Sequence, residues 1–209
     1  MFIFRMNLKT QQIELDDKAQ LEVVRDMLSR TRGNVQQNSI FYLLWGWLVF
    51  AATVLQYVFM TQLHWNQFHM IPWIILMPAG GAISFWIGRR MEERANYTTL
   101  LDRVMGYLWG GITVGILFSL FLSMRLGWAN SYILVILFYG IGAVISGLIL
   151  KFRPLIIGGV FSLLLIAAVL AFPVLIEQFS DMLLLLAISI VATYLIPGYL
   201  LRRKKESHV

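Results

Sequence analysis

Two histidines are the best candidates for metal ligands in this chain, judged by residue type and spacing. They stand five residues apart in the segment LHWNQFH, as His64 and His69. A helical metal pair needs both ligands on one face, as a spacing of four provides, and no third ligand lies nearby. The chain also has no cysteine, which excludes thiolate ligands and cysteine nucleophiles. The pattern therefore predicts no metal site and favours polar residues at a membrane surface.

Acid–base chemistry inside a membrane needs an ionisable residue within an apolar segment, and the long apolar segments hold none. Glu177 and Asp181 lie in a short connection between two such segments. The sequence has neither a His-Glu-x-x-His motif nor a Gly-x-Ser-x-Gly motif. Because intramembrane charges mark catalytic sites and ion pathways, we predict a protein that is not an enzyme, with no catalytic residue and no cofactor.

The elements that carry these residues are apolar helices. Hydrophobic residues make up 59% of the 209 residues and charged residues 13%, against roughly half and about a quarter in soluble domains. An uncharged run of about eighteen residues is long enough to cross about 30 Å of hydrocarbon as a helix. The sequence predicts an all-α, polytopic transmembrane helix bundle of six spans, at about 40–61, 70–88, 107–124, 131–150, 154–176 and 181–200.

The basic residues predict how these spans are oriented. Sixteen of the seventeen Lys and Arg residues fall on one side, and Arg125 falls on the other. Since basic residues accumulate on the cytoplasmic side, we expect both termini in the cytoplasm. The 40–200 bundle then lies between a cytoplasmic segment 1–39 and a basic tail 201–209. The net charge of +6 indicates the lipid bilayer as a partner and not nucleic acid.

The segment 1–39 is predicted to contain one amphipathic helix at about 17–32. It either lies on the membrane surface or docks a cytosolic partner protein. The segment has no signal-peptide pattern. Met1 and Met6 are both candidates for the start of translation. The apolar face of the helix supplies four candidates for docking a partner: Leu21, Val24, Met27 and Leu28.

Two apolar segments begin with related residues, YLLWGWLVFAATVL from Tyr42 and YLWGGITVGILFSL from Tyr107. Trp and Tyr favour the boundary between hydrocarbon and headgroups, because the ring is apolar and its N–H or O–H needs a polar partner. We therefore interpret the tryptophans near span ends as interface anchors: Trp45, Trp47, Trp65, Trp73, Trp86, Trp109 and Trp128.

Small residues four positions apart occur in three of the predicted spans. This spacing makes a flat helix face on which another backbone can approach closely. It predicts that spans two, three and four form the centre of the bundle and that span six faces lipid. The helix-packing candidates are Gly80, Ser84, Gly88, Gly106, Gly110, Gly111, Gly115, Gly142, Ser146 and Gly147.

The segment MPAGG at 77–81 allows two interpretations. Pro78 removes a backbone donor, and Gly80 and Gly81 loosen the next turn. The result is either a helix break that lines a cavity or a plain kink.

Related strings also indicate an internal repeat. GGAIS in span two matches GAVIS in span four, just as the Trp–Gly pairs match between spans one and three. Two-helix units in one orientation are parallel repeats of a kind found in transporters. Unequal spacing leaves chance recurrence as the alternative.

The segment NSIFYLLWGWLVFAATVLQY, at 38–57, follows LEVVRDMLSRTRGN. Over about residues 20–57 the chain resembles a group of small six-span inner-membrane proteins from Bacteroidota-type bacteria. That resemblance implies topology and lineage. The group has no agreed activity and therefore implies no site residues.

We expect a non-enzymatic integral inner-membrane protein that acts through cytosolic or membrane protein partners, or as a homo-oligomer, in a regulatory, sensing or scaffold role. The alternative is the permease subunit of an ABC-type exporter. That class resembles this chain in its six spans, its N-terminal interfacial helix and its cytoplasmic segment between spans two and three. The short connection between spans five and six leaves no room for the re-entrant helices such permeases often have.

Overall fold

The described chain is a bundle of helices. The computed structural model describes residues 39–65, 67–95, 100–176 and 178–203, and these ranges contain no strand. A 3₁₀ turn at Pro173–Leu175 follows the fifth helix, and a π turn at Val191–Leu195 joins the last two. The helices are α1 Ser39–Thr61, α2 Ile71–Ala95, α3 Leu100–Leu126, α4 Trp128–Ile149, α5 Arg153–Ala171, α6 Phe179–Ile190 and α7 Ile196–Arg203.

Six segments within the described ranges are long and apolar enough to cross a membrane, which confirms the predicted number of apolar helices. The sixth, Phe179–Arg203, contains α6, the π turn and α7. α3 begins at Leu100, earlier than expected, because the helix includes polar residues before its apolar run. α5 ends at Ala171, earlier than expected, since Pro173 has no N–H to continue the helix. The predicted helix at 17–32 lies outside the described residues.

The bundle has two ends, which we call the near end and the far end. α1 begins and α7 ends at the near end, where Trp47 Nε1 donates a 3.0 Å hydrogen bond to the Tyr199 hydroxyl. The far end holds the 62–70 connection, the turn between α3 and α4, and the 172–178 connection. Gly127 makes that turn with a left-handed φ of 81°, which glycine adopts without a side-chain clash.

The buried centre lies on α4 and the sixth span. Half of the most apolar window is buried in each of them, against 11% in α2 and 17% in α3. The prediction that spans two, three and four form the centre is therefore correct for span four alone, and the prediction that span six faces lipid is wrong. A glycine face permits close approach, but the partner's position decides whether the approach occurs.

α4 and α5 approach each other through glycines. A methyl group on Gly159 would lie 2.8 Å from the Gly140 carbonyl oxygen. The turn between these helices is of the Schellman type, with the Phe152 N–H donating to the Gly147 carbonyl at 2.8 Å. Lys151 takes its left-handed position, with φ of 51°. This tight turn makes α4 and α5 antiparallel neighbours.

α2 packs on α1 through one glycine. A methyl group on Gly80 would lie 2.5 Å from Leu48 Cδ1 and 3.5 Å from Trp45 Cη2. A tryptophan and an aliphatic residue one turn later therefore close over a glycine of the next helix.

α4 packs on α3 through the residues that match in sequence. A methyl group on Gly142 would lie 2.5 Å from Ile112 Cδ1 and 3.2 Å from Trp109 Cη2. Four residues after each glycine stands a serine, Ser84 and Ser146, and both hydroxyls are buried without a hydrogen-bond partner among the described residues. The same residue types therefore make the same kind of contact in both helix pairs, and the internal repeat stays a prediction.

The helix break considered for Pro78, Gly80 and Gly81 is absent, because α2 is one continuous helix from Ile71–Ala95. A break would free backbone groups in the hydrocarbon, where no water can bind them, and this cost favours an unbroken helix.

The irregular turn lies instead in the sixth span. Within Val191–Leu195 the hydrogen bonds widen to π spacing, and the Ile196 N–H donates to the Val191 carbonyl, five residues earlier. Pro197 follows and has no N–H to donate. π turns of this kind occur often at functional sites.

Candidate functional site

Gln56 is a buried amide on α1, toward the far end of the bundle, and its side chain is 0% exposed. Trp73 Nε1 donates to Gln56 Oε1 at 2.6 Å, and the Tyr132 hydroxyl donates to the same oxygen at 2.8 Å. The amide nitrogen lies 3.0 Å from His69 Nδ1 and 3.6 Å from Met70 Sδ. We call these five residues the far-end cluster.

The far-end cluster joins several parts of the chain. Gln56 comes from α1, Trp73 from α2 and Tyr132 from α4, while His69 lies in the 62–70 connection. The backbone of that connection folds back on itself, with the Trp65 N–H donating to the Phe59 carbonyl at 2.8 Å. With this fold, His69 lies beside the Gln56 amide.

Aromatic contacts extend the cluster to α6. The Tyr132 ring meets Trp73 edge to face, with centroids 6.2 Å apart, and meets Phe179 in the same way at 5.2 Å. Tyr132 is therefore in contact with both other rings, so a movement of either one acts on Tyr132.

A cavity of about 350 Å³ opens beside the cluster. Phe179 connects the two, since it lines the cavity and also contacts Tyr132. A capping box of Gln178 and Asp181 fixes the start of α6 at this wall. None of the lining residues carries a permanent charge; they are Met60, Thr61, His64, Gln178, Phe179 and Ser180.

The two histidines have different surroundings. His64 lines the cavity and has a left-handed backbone φ of 52°. His69 bonds to Gln56, and burial lowers the pKa of its imidazole below the usual value near 6.5. Within the described ranges no group of three or more His, Asp or Glu residues could hold a metal ion.

A second buried polar group lies near the other end, and we call it the near-end cluster. The rings of Tyr42, Trp109 and Tyr194 meet pairwise with centroids 5.8 to 6.0 Å apart. The Tyr194 hydroxyl donates to the Tyr139 carbonyl at 3.4 Å. Ser146 is the fifth member, because its side chain lies beside the Tyr42 hydroxyl. Both hydroxyls are buried without a well-aligned hydrogen bond among the described residues.

The predicted helix-packing glycines divide into two groups. Gly80, Gly115, Gly142 and Gly147 lie against side chains of neighbouring helices. Beside the others, no neighbouring helix among the described residues has an atom within 4 Å of where a side chain would begin: Gly88, Gly106, Gly110 and Gly111. The second group is on α2 and α3, the two least buried spans.

Other close-packed glycines were not among the predicted packing residues. Gly158 meets the Ala192 carbonyl of the π turn so closely that no side chain fits there. In the same region, a methyl group added to Gly46 would lie 2.9 Å from Leu195 Cδ2. One added to Gly198 would lie 2.9 Å from Leu43 Cδ2. The doubled glycine in PLIIGG was the available signal for this packing surface.

The seven predicted anchor tryptophans also divide. Trp47, Trp65, Trp86 and Trp128 are 46 to 54% exposed, as an interface residue should be. The remaining three pack against the buried core: Trp45, Trp73 and Trp109. Trp73 gives its N–H to Gln56, so a protein oxygen takes the place that a headgroup oxygen was expected to fill.

Gln56 itself was missed, because the sequence search considered only ionisable residues inside the spans. A neutral amide in the run VLQYVF was the signal, since an uncharged polar group also needs a partner in hydrocarbon. The candidates for partner docking, Leu21, Val24, Met27 and Leu28, lie outside the described residues.

Comparisons with known proteins add no name to this site. A scan against protein-family models, a search of curated proteins and a search of solved structures each found no match. The resemblance to small six-span inner-membrane proteins therefore stays a prediction.

Proposed function

We propose that this is a non-enzymatic membrane protein that senses conditions at the far end of its bundle and passes the change to protein partners at the near end. In the proposed orientation the far end faces outward and both termini face the cytoplasm of a bacterium. The observation that carries this proposal is the Gln56 side chain, which binds partners from α2, α4 and the 62–70 connection.

The input is a change at the far end. A solute in the cavity would contact Phe179, which packs on Tyr132, and Tyr132 bonds to Gln56. A displacement of the 62–70 connection would act on the same amide through His69. Both routes end at one buried group, so either change alters the same contact between helices.

The output travels along two helices. α1 carries both Gln56 and Tyr42, fourteen residues apart, which is about 21 Å at 1.5 Å per residue. α4 carries both Tyr132 and Ser146. Since each helix contributes to both clusters, a shift between α1 and α4 at the far end changes the near-end cluster too.

Orientation is tested with introduced thiols, since the chain has no cysteine of its own. Leu63→Cys places a thiol in the 62–70 connection, and Ser207→Cys places one in the tail. In intact cells a membrane-impermeant maleimide is expected to label the first variant and to label the second only after the cells are opened. Labelling of the tail in intact cells would contradict the proposed direction.

Partner dependence is tested by purification in mild detergent, with every copurifying protein identified and quantified. Gln56→Leu is expected to change the amount of at least one partner. Thr53→Val is the matched control, because Thr53 is equally buried on α1 but bonds only to the Val49 carbonyl of its own helix. Equal partner sets in both variants and the wild type would contradict the sensing role, and a copurifying ATPase would favour the exporter alternative.

A further inference from the structure

We propose that the contact between Gln56 and His69 is a proton-binding site, and that protonation of His69 releases the 62–70 connection from α1. The inference rests on the sensing role proposed above and names the signal as an increase in proton concentration at the far end.

The amide of Gln56 has one orientation that satisfies its neighbours. The indole N–H of Trp73 can only donate a hydrogen bond, and it lies 2.6 Å from Gln56 Oε1. The Tyr132 hydroxyl donates to the same oxygen. The oxygen therefore faces these two donors, and the NH₂ group must face His69.

This orientation fixes the hydrogen on the imidazole of His69. The amide nitrogen, 3.0 Å away, can only donate, so His69 Nδ1 must accept and carry no hydrogen. The neutral ring then has its hydrogen on Nε2. Protonation would place a second hydrogen on Nδ1, and two donors would face each other across the contact.

The far-end cluster has no second arrangement of equal quality. A flipped Gln56 amide would turn its NH₂ group toward the donors of Trp73 and Tyr132. Without His69, the amide nitrogen keeps only Met70 Sδ at 3.6 Å, and a thioether is a weak acceptor. Because Gln56 is 0% exposed, water cannot replace the lost acceptor without an opening of the cluster.

No charge among the described residues competes with the proton at His69. Burial alone lowers the pKa of this imidazole, with no contribution from a charged neighbour. α2 supplies no titratable residue at this end. The other elements supply Tyr57 on α1, Arg125 on α3, Tyr132 on α4, Asp181 on α6 and His64 in the connection itself.

The sign of the pH effect follows from the lowered pKa. The unfolded chain binds the proton more readily, since its His69 has the ordinary pKa near 6.5. Folding stability is therefore fully present above about pH 6.5 and falls as the pH drops toward the folded-state pKa. Acidification weakens the closed connection, and neutral pH restores it.

The released segment leads directly into α2. His69 and Met70 are the last residues before Ile71, where α2 begins. At the start of α2, Trp73 bonds to Gln56 and packs against Tyr132, and neither contact involves His69. Opening of the contact with His69 would therefore free the connection up to this anchored first turn.

The test uses Leu63→Cys, which is 44% exposed in the wild type, labelled with a polarity-sensitive fluorophore before reconstitution in lipid nanodiscs. Emission is followed from about pH 8 to about pH 5, a range in which histidine titrates. Val174→Cys in the 172–178 connection, 74% exposed, reports any response of the dye itself. We expect a transition at position 63, with its midpoint below pH 6.5, and none at position 174.

Two histidine variants test whether the transition depends on His69. His69→Asn keeps an uncharged acceptor for Gln56 at all pH values, so the transition is expected to disappear while the connection stays closed. His64→Asn is the matched control and is expected to retain the transition. Persistence of the transition in His69→Asn, or its absence from the wild type, would overturn the inference.

Thermal unfolding over the same pH range keeps the test open if a labelled variant folds poorly. The melting temperature of the wild type is expected to fall on acidification more steeply than that of His69→Asn. Equal slopes would contradict the inference. If the slopes are equal while Gln56→Leu still changes the partner set, the proton site fails and the sensing role stands. If the transition depends on His69 but Gln56→Leu leaves the partner set unchanged, the proton site stands and the sensing role fails.

Discussion

The α1–α2 pair and the α3–α4 pair use one packing unit in two different settings. In each pair a tryptophan and an aliphatic residue one turn later close over a glycine of the second helix. α4 is central, with half of its apolar window buried, whereas α2 is peripheral, with 11% buried. The packing unit therefore joins two helices whether or not further helices cover them.

The two pairs differ toward the far end. Counted from the matched tryptophans, Gln56 of the first pair corresponds to Leu120 of the second. Leu120 packs against the apolar core, whereas Gln56 bonds to side chains from three parts of the chain. Packing alone does not require the amide, so its burial in α1 needs a separate reason, which the sensing role supplies.

The largest effect is expected where the packing unit is most enclosed. Gly142→Val should lower the free energy of unfolding by about 3 kcal/mol and Gly80→Val by about 1 kcal/mol, within the range for overpacked cores. Both added groups meet the end of an aliphatic side chain at 2.5 Å, but the neighbours of α2 have more freedom to move. Denaturant titration in detergent measures both values, and equal costs would mean that enclosure does not distinguish the two pairs.

Gln56→Leu makes the first pair resemble the second and tests whether the amide stabilises it. We expect a loss of about 2 kcal/mol, since Trp73 and Tyr132 would each keep a buried donor without an acceptor. The same titration gives the result, with Thr53→Val as the control for loss of a buried polar group on α1. A gain in stability would show that the far-end cluster is a cost to the fold.

The smallest effects compare the two polar clusters by one change, Tyr to Phe. Tyr132→Phe should cost about 1 kcal/mol, because its hydroxyl donates to Gln56. Tyr42→Phe should change stability by less than about 0.5 kcal/mol, because its hydroxyl lies beside Ser146 and Trp109 but forms no well-aligned hydrogen bond with a described group. Melting temperatures decide the order, and an equal or larger cost at Tyr42 would reveal a partner for that hydroxyl.

The number of spans was predictable from the sequence, because each span must be uncharged and long enough to cross hydrocarbon whatever its neighbours are. The arrangement of the spans was not. Gly106 and Gly110 have the spacing of a packing face, but no neighbouring helix among the described residues lies within 4 Å of an added methyl group. Gly46 has no small residue at that spacing and lies against Leu195. The spacing of small residues is a property of one helix, whereas their burial depends on where a second helix lies.

The far-end cluster was unpredictable for a related reason. Gln56, His69 and Tyr132 are separated by up to 76 residues, and no spacing rule joins them. Trp73 has the same sequence context as the interface anchors, and only the fold reveals that its N–H points to a buried oxygen. The spacing of the two histidines could be judged only within one helix, whereas the hydrogen bond of His69 depends on the folded connection.

The π turn at Val191–Leu195 has a geometric consequence for the end of the chain. A π turn contains one more residue than an α turn, and one residue corresponds to about 100° of rotation at 3.6 residues per turn. Residues after the turn are therefore rotated relative to those before it. Tyr194 can face the interior while Tyr199, on the same rod, reaches Trp47 at the surface. Deletion of one residue from the π turn would rotate the Tyr199 hydroxyl away from the indole of Trp47. The hydrogen bond that joins α7 to α1 would then be lost.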